Sequence, residues 1–109
     1  MTAPELLYLC GPVTGLPDYN RAAFAATAAQ LEAAGFSVIN PAERGADQPG
    51  WGWAQYLRRA IRQMLVCDAV AVLDGWEASR GANVEVYLAE NVELAVQPVA
   101  FWLERGPGS

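Results

Sequence analysis

Three short apolar runs, at residues 5–10, 36–40 and 69–73, each stop at a chain-breaking signal: Gly11-Pro12, Pro41 and Asp74-Gly75. Segments with helical spacing lie between them. Short apolar runs bounded in this way read as buried strands. Strands that alternate with helices must run parallel, because each helix carries the chain back across a face of the sheet. Right-handed crossovers then leave one solution: an α/β fold with a small doubly wound, Rossmann-like or flavodoxin-like sheet. About four strands are expected, with helices on both faces.

The chain fills this frame in order. Asn20 is placed to cap a first helix over residues 21–34, whose inward stripe is Phe24, Ala28 and Leu31 and whose end is Gly35. Eight alanines in that segment point to close packing on the sheet. Trp51 and Trp53 lead into a second helix that ends near Cys67, with Trp53, Leu57, Ala60, Ile61, Met64 and Leu65 facing inward. Ser79 is an N-cap candidate for a third helix reaching Val96. Residues 98–103 supply the fourth strand. One domain over residues 1–103 accounts for the fold, and residues 104–109 are expected to be a disordered tail.

Composition removes whole classes of function. The chain has no histidine and only two cysteines, Cys10 and Cys67, which sit far apart beside apolar runs. Metal sites and histidine-based triads are therefore not expected, and no cofactor is implied. Both cysteines read as reduced core residues, which fits a cytoplasmic protein. All seven basic residues are arginine and the net charge is −5. That balance argues against binding a nucleic-acid backbone. Arg58, Arg59 and Arg62 form a small cluster, expected on the solvated outer face of the second helix. No apolar segment approaches the length of a membrane span, and residues 1–4 do not resemble a signal peptide.

Chemistry-bearing residues collect at three strand ends: Cys10-Gly11-Pro12-Val13-Thr14-Gly15, Asn40-Pro41-Ala42-Glu43, and the stretch from Asp74 to Glu85. Open parallel sheets bind ligands at this edge. The glycine turn after the first strand matches neither the dinucleotide fingerprint nor the P-loop. It serves either as a ligand cradle or as a tight turn. Within Ser79-Arg80-Gly81-Ala82-Asn83-Val84-Glu85, the carboxylate falls on the second turn of the third helix. The helix dipole there favours the ionised form by about 0.3–1 kcal/mol. Glu85 is thus the candidate nucleophile or base. Arg80 is a candidate phosphate partner, since guanidinium donates in a bidentate fashion. Trp51, Trp53 and Trp76 are candidates for stacking on a base, or for core and interface roles.

Several motifs together resemble a known group. They are Tyr8-Leu9-Cys10-Gly11-Pro12-Val13-Thr14-Gly15-Leu16-Pro17-Asp18-Tyr19-Asn20, Gly35-Phe36-Ser37-Val38-Ile39-Asn40-Pro41-Ala42-Glu43, Cys67-Asp68-Ala69-Val70-Ala71-Val72-Leu73, and Ser79-x-Gly81-x-x-x-Glu85. In order and spacing they resemble the nucleoside 2-deoxyribosyltransferase-like superfamily, and within it the small domains of the DUF4406 type. The resemblance covers about residues 6 to 103. It implies N-glycosidic chemistry on deoxynucleosides or their 5′-monophosphates, by transfer to a second base or by hydrolysis. Glu85 matches the family nucleophile, which forms a glycosyl-enzyme intermediate as in retaining glycosidases. Tyr8 matches a tyrosine beside that nucleophile, and Ser79 a serine that holds the 5′-phosphate in the nucleotide hydrolases. Gly11, Pro12, Thr14, Gly81, Arg80 and Asp74 complete the expected substrate-binding set.

Two departures stand out. Relatives carry an aspartate that protonates the leaving base where this chain has Ala60. Pro12 stands where the nucleotide hydrolases have a serine on the phosphate. Protonation by a positioned acid is worth about 10²–10⁴-fold. Either Asp74, Glu77 or Glu43 replaces that acid, or the chain binds a nucleotide or nucleotide signal without turning it over. A structural or interaction role is the third alternative. On any of these readings a homo-oligomer, dimer or higher, is expected to cover apolar helix faces.

Overall fold

The computed structural model describes residues 6–43 and 47–107. Strand β1 (Leu6–Cys10) leads through a 3₁₀ turn at Pro17–Asn20 into helix α1 (Arg21–Ala33) and strand β2 (Ser37–Ile39). Helix α2 (Trp53–Leu65) and strand β3 (Ala69–Val72) follow. A second 3₁₀ turn, Trp76–Ala78, opens helix α3 (Arg80–Asn91), strand β4 (Ala95–Pro98) and helix α4 (Val99–Arg105). The strands form one parallel sheet in the order β2-β1-β3-β4, open at both edges. The expected α/β architecture is the observed one. Residues 1–5, including Glu5 of the expected first strand, and residues 108–109 of the expected tail lie outside the described residues.

The side-chain alternation of a strand explains why the central runs are apolar throughout. Leu7 and Leu9 point to one face and pack with Phe24 and Leu31 of α1 and Trp102 of α4. Tyr8 and Cys10 point to the other, against Met64 of α2 and Val86 of α3. Both faces are covered, so neither set of positions tolerates charge unless it is paired. Fully burying each such large apolar side chain contributes about 1.5–3 kcal/mol. The chain turns from β1 to β2 on one side and, through α2, to β3 on the other. The C-terminal ends of β1 and β3 therefore flank the point where the winding reverses.

Helix ends decide the differences from expectation. Helix α1 closes at Gly35, whose φ of +104° places it in the left-handed region, and Phe36 N–H returns to the Leu31 carbonyl. Helix α3 ends with the same geometry: Leu94 N–H donates to the Ala89 carbonyl and Glu93 N–H to that of Glu90. Here Glu93, at φ +64°, takes the position that glycine usually fills. The helix thus stops at Asn91, not at Val96, and residues 95–98 become β4.

Residues 98–103, expected as a strand, are instead mostly helix α4. Pro98 sits at its N-cap position, and Val99 and Trp102 fall on one face against the core. The Trp102 indole N–H donates to the Val70 carbonyl at 3.0 Å. Helix α4 continues through Arg105, so Glu104 and Arg105 belong to an element and not to a tail.

Two smaller expectations also change. Asn20 does not cap α1; its amide donates to the Pro12 carbonyl at 2.9 Å, tying the first loop to the helix start. Among the alanines of α1 only Ala28 is buried, so most of that small-residue surface faces solvent.

Candidate functional site

A cleft of about 540 Å³ opens at the C-terminal end of β1, between the loop after β2, helix α2 and the start of α3, at the edge where open parallel sheets bind ligands. Helix α2 forms its roof. This explains the exposure of Trp53 and the half-burial of Leu57, expected inward positions that meet the cleft, while Ala60 both lines the cleft and packs against the sheet-side core. Only Met64, in the last turns of α2, is fully buried.

Glu85 lies on the second turn of α3, lines the cleft, and is 6% exposed. Ser79 caps that helix as expected: its hydroxyl accepts from Ala82 N–H at 3.3 Å. The Asn83 amide secures the same turn by donating to the carbonyls of Glu77 at 2.9 Å and Ser79 at 2.7 Å. A capped helix start holds Glu85 in a fixed position over β1. There the Tyr8 hydroxyl, on the same sheet face, donates to Glu85 Oε2. The Cys10 thiol approaches Oε1 and the Ala82 carbonyl, both at 3.6 Å.

Burial dominates the electrostatics. It pushes the Glu85 carboxyl up to about 7, while the hydrogen bonds from Tyr8 and Cys10 pull the other way. The expected benefit from the helix dipole is therefore outweighed by desolvation. Burial, then the Glu85 charge and hydrogen bond, raises Tyr8 well above the ordinary phenol range. Tyr8 thus stays protonated as a donor. Cys10 is raised for the same reasons, and Cys67 to about 11 by burial and the nearby Asp68. Both thiols are inert at neutral pH.

The structure brings together Tyr8, Gly11, Thr14, Ser79, Gly81 and Glu85 around the cleft. Among the described residues, Pro12, Asp74 and Arg80 do not line it. Pro12 supports the loop through its carbonyl, and Arg80 stacks on the Trp53 ring at 4.1 Å. The two glycines differ in purpose. A Cβ at Gly11 would stand 2.9 Å from Leu73 Cβ, so packing demands that glycine. At Gly81 the nearest atoms, on Trp53 and Leu57, are 3.8 and 3.9 Å away, so a Cβ there would make only ordinary contacts and packing does not demand the glycine.

Ala60 lines the cleft, and α2 carries no carboxylate. Of the three acids expected to compensate, Glu43 reaches the cleft; Asp74 and Glu77 do not. Several cleft residues escaped the sequence reading as site groups, among them the polar Asp47, Arg21, Arg59, Gln63, Tyr19 and Tyr56. Arg59 leaves the expected outer face to stack on Trp51 at 5.2 Å and Tyr56 at 5.4 Å. Arg21 joins Asp47 at 2.6 Å across the mouth. Among the described residues no cluster of His, Cys, Asp and Glu has metal-binding form, and no helix is long and apolar enough to cross a membrane.

No curated protein matches this chain. Residues 5–98 match the family described as Domain of unknown function (DUF4406), and the chain, carrying the cleft and its buried carboxylate within that span, belongs to this family.

Proposed function

We propose that the cleft performs N-glycosidic bond chemistry on a deoxynucleoside or deoxynucleoside 5′-monophosphate, as a deoxyribosyltransferase or N-hydrolase, with Glu85 as nucleophile. The observation that carries this reading is a carboxylate 6% exposed, hydrogen-bonded by Tyr8, at the ligand-binding edge of the sheet. Burying a carboxylate is costly, and such costs collect where chemistry needs them.

In this reading ionised Glu85 attacks the anomeric carbon. The bond from that carbon to the base breaks, its electron pair leaves with the base, and a proton neutralises the base. Water or a second base then attacks the same carbon and releases the carboxylate. Tyr8 holds Oε2, orienting Oε1 for attack and carrying part of the charge that returns when the ester breaks. The burial of Glu85 strengthens the attraction between carboxylate and oxocarbenium-like centre.

The test is chromatography of deoxynucleosides and their monophosphates after incubation with wild type and Glu85→Ala, with and without an acceptor base. Base release lost in the variant supports the chemistry, and dependence on acceptor separates transfer from hydrolysis. One observation favours a second reading. Ala60 leaves α2 without an acid over the cleft, which suits a protein that captures a nucleoside or nucleotide and returns it intact. An unchanged panel with ligand bound would establish that alternative.

Exposed Leu65, Val66 and Tyr87 support self-association on either reading, measurable by analytical ultracentrifugation.

A further inference from the structure

The proposed attack uses Glu85 and Tyr8 and leaves one neighbour without a role. Side chains two apart on a strand share a face, so Cys10 of β1 stands beside Glu85 as Tyr8 does. Cys10 is buried, and its sulfur lies 3.6 Å from Glu85 Oε1 and 3.6 Å from the carbonyl oxygen of Ala82, in the preceding turn of α3. One thiol proton thus has two acceptors at equal distance. Cys67 shows no such arrangement: its thiol donates to the Gln63 carbonyl at 3.2 Å, four residues back.

The charge on Glu85 decides between the two acceptors. A hydrogen bond to an ionised acceptor is about twice as strong as one to a neutral group, so the anion draws the thiol proton to Oε1. Once Oε1 carries a proton or a sugar carbon, the Ala82 carbonyl is the better acceptor. The exchange needs only rotation about the Cβ–Sγ bond, and the proton stays on sulfur throughout. Burial and the Glu85 charge push the thiol well above its ordinary range, which keeps that proton in place. The other titratable groups acting on this cluster are Tyr8 of β1 and Cys67 from the turn before β3, and both are protonated at neutral pH.

Donor strength matters as well. S–H is a weak donor, so it steadies Oε1 without tying up the electron pair that forms the bond to the anomeric carbon. A hydroxyl would hold that pair more firmly, and a methyl would not hold it at all.

We infer that Cys10 is a positioning residue for Glu85, its thiol proton directed to Oε1 while the carboxylate is ionised and turned to the Ala82 carbonyl once Oε1 is protonated or bonded to the sugar. The role in attack rests on the glycosidic reading of the cleft. The exchange of acceptors belongs to the ligand-free protein.

Infrared spectroscopy of the S–H stretching band tests the exchange without substrate. The difference between wild type and Cys10→Ala isolates the Cys10 band, and Cys67→Ala isolates it a second way should Cys10→Ala fold poorly. From pH 5 to pH 9 the band should move to lower frequency with a midpoint near 7, as Glu85 ionises. In Glu85→Gln it should not move. A wild-type band that stays fixed overturns the inference.

Base release provides the second readout. Cys10→Ser should move its rise to lower pH and lower the plateau by about three- to tenfold. Cys10→Ala should move the rise to higher pH. Slower release in both variants without these opposite shifts would reduce Cys10 to packing and overturn the inference. A band that follows Glu85 in a protein releasing no base upholds the positioning of Glu85 and removes only the glycosidic reading.

Discussion

Tyr8 and Glu85 stand 77 positions apart in the chain, yet the tyrosine hydroxyl in β1 donates to the glutamate carboxylate in α3 within the core. The bond stabilises the ionised carboxylate against its desolvation, and its loss has a definite sign. Removing the donor raises the Glu85 pKa further, because the Tyr8 hydrogen bond acts to lower it. If Glu85 attacks as an anion, wild-type base release rises with pH through about 7 and then levels. In Tyr8→Phe the rise should move to higher pH. The rate deficit should therefore be larger at pH 7 than at pH 9. A parallel drop at every pH would show that Tyr8 acts on the reaction without tuning Glu85.

Stability should carry the same signature in reverse. Burial raises Glu85 in the folded state from an ordinary 4.5 to about 7, so between those values the native chain binds more protons than the unfolded one. Glu85 then imposes no penalty below pH 4.5, an increasing one as pH rises, and its full penalty above about 7. Glu85→Gln keeps an acceptor for Tyr8 and removes the charge. Urea denaturation should find it more stable than wild type by about 3 kcal/mol at pH 8 and nearly equal at pH 4.5. Equal stability at pH 8 would mean that the carboxylate is better solvated than its burial indicates.

How far the sequence reveals the fold depends on where local signals and tertiary demands agree. Gly35 and Glu93 close their helices with the same hydrogen-bond pattern. Only the glycine announces it, so α1 ends where expected and α3 does not. The apolar residues of 98–103 fit a strand or a buried helix equally well by pattern. Contact with the core along the face of Val99 and Trp102 decides for the helix.

The site divides in the same way. Ser79, Gly81 and Glu85 belong to one short motif and are visible together. Gln63 and Arg59 are not, because a helix that roofs a cleft turns polar groups inward where periodicity assigns core or solvent. The Arg21–Asp47 pair joins residues 26 positions apart, and no local pattern marks it. The placement of Tyr8 against Glu85 follows from the register of β1 and the capped start of α3 together. Neither segment shows it alone.

The two glycines of the site should respond oppositely to alanine. Gly11→Ala drives a methyl to 2.9 Å from Leu73 Cβ, between β1 and the loop after β3. Overpacking of that kind costs about 1–3 kcal/mol. Gly81→Ala meets nothing closer than 3.8 Å and replaces a glycine in the first turn of α3, which favours the fold by less than the roughly 1 kcal/mol of a helix-interior site. Its methyl enters the cleft between α3 and α2, so ligand affinity should fall while the melting temperature holds or rises. Thermal melts paired with titration of a deoxynucleoside measure both. A Gly81→Ala protein that binds normally would show that the ligand does not approach this helix.

Ala60 offers a test that adds chemistry. The leaving base needs a proton, the roof of the cleft has no acid, and Ala60 lines the same cleft as Glu85 from α2. Ala60→Asp places a carboxyl there. If the wild-type protein is a slow N-glycosidase limited by leaving-group protonation, the variant should release base faster, by up to about 10²–10⁴-fold. The gain should be largest where Glu85 is ionised and the new acid still protonated, giving a bell-shaped pH profile in place of a plateau. The control is Ala60→Asn, which has similar size and no proton to give. Acceleration in both variants would mean that shape limits the reaction. Acceleration in neither, with ligand still bound and recovered intact, would mark the chain as a capture protein.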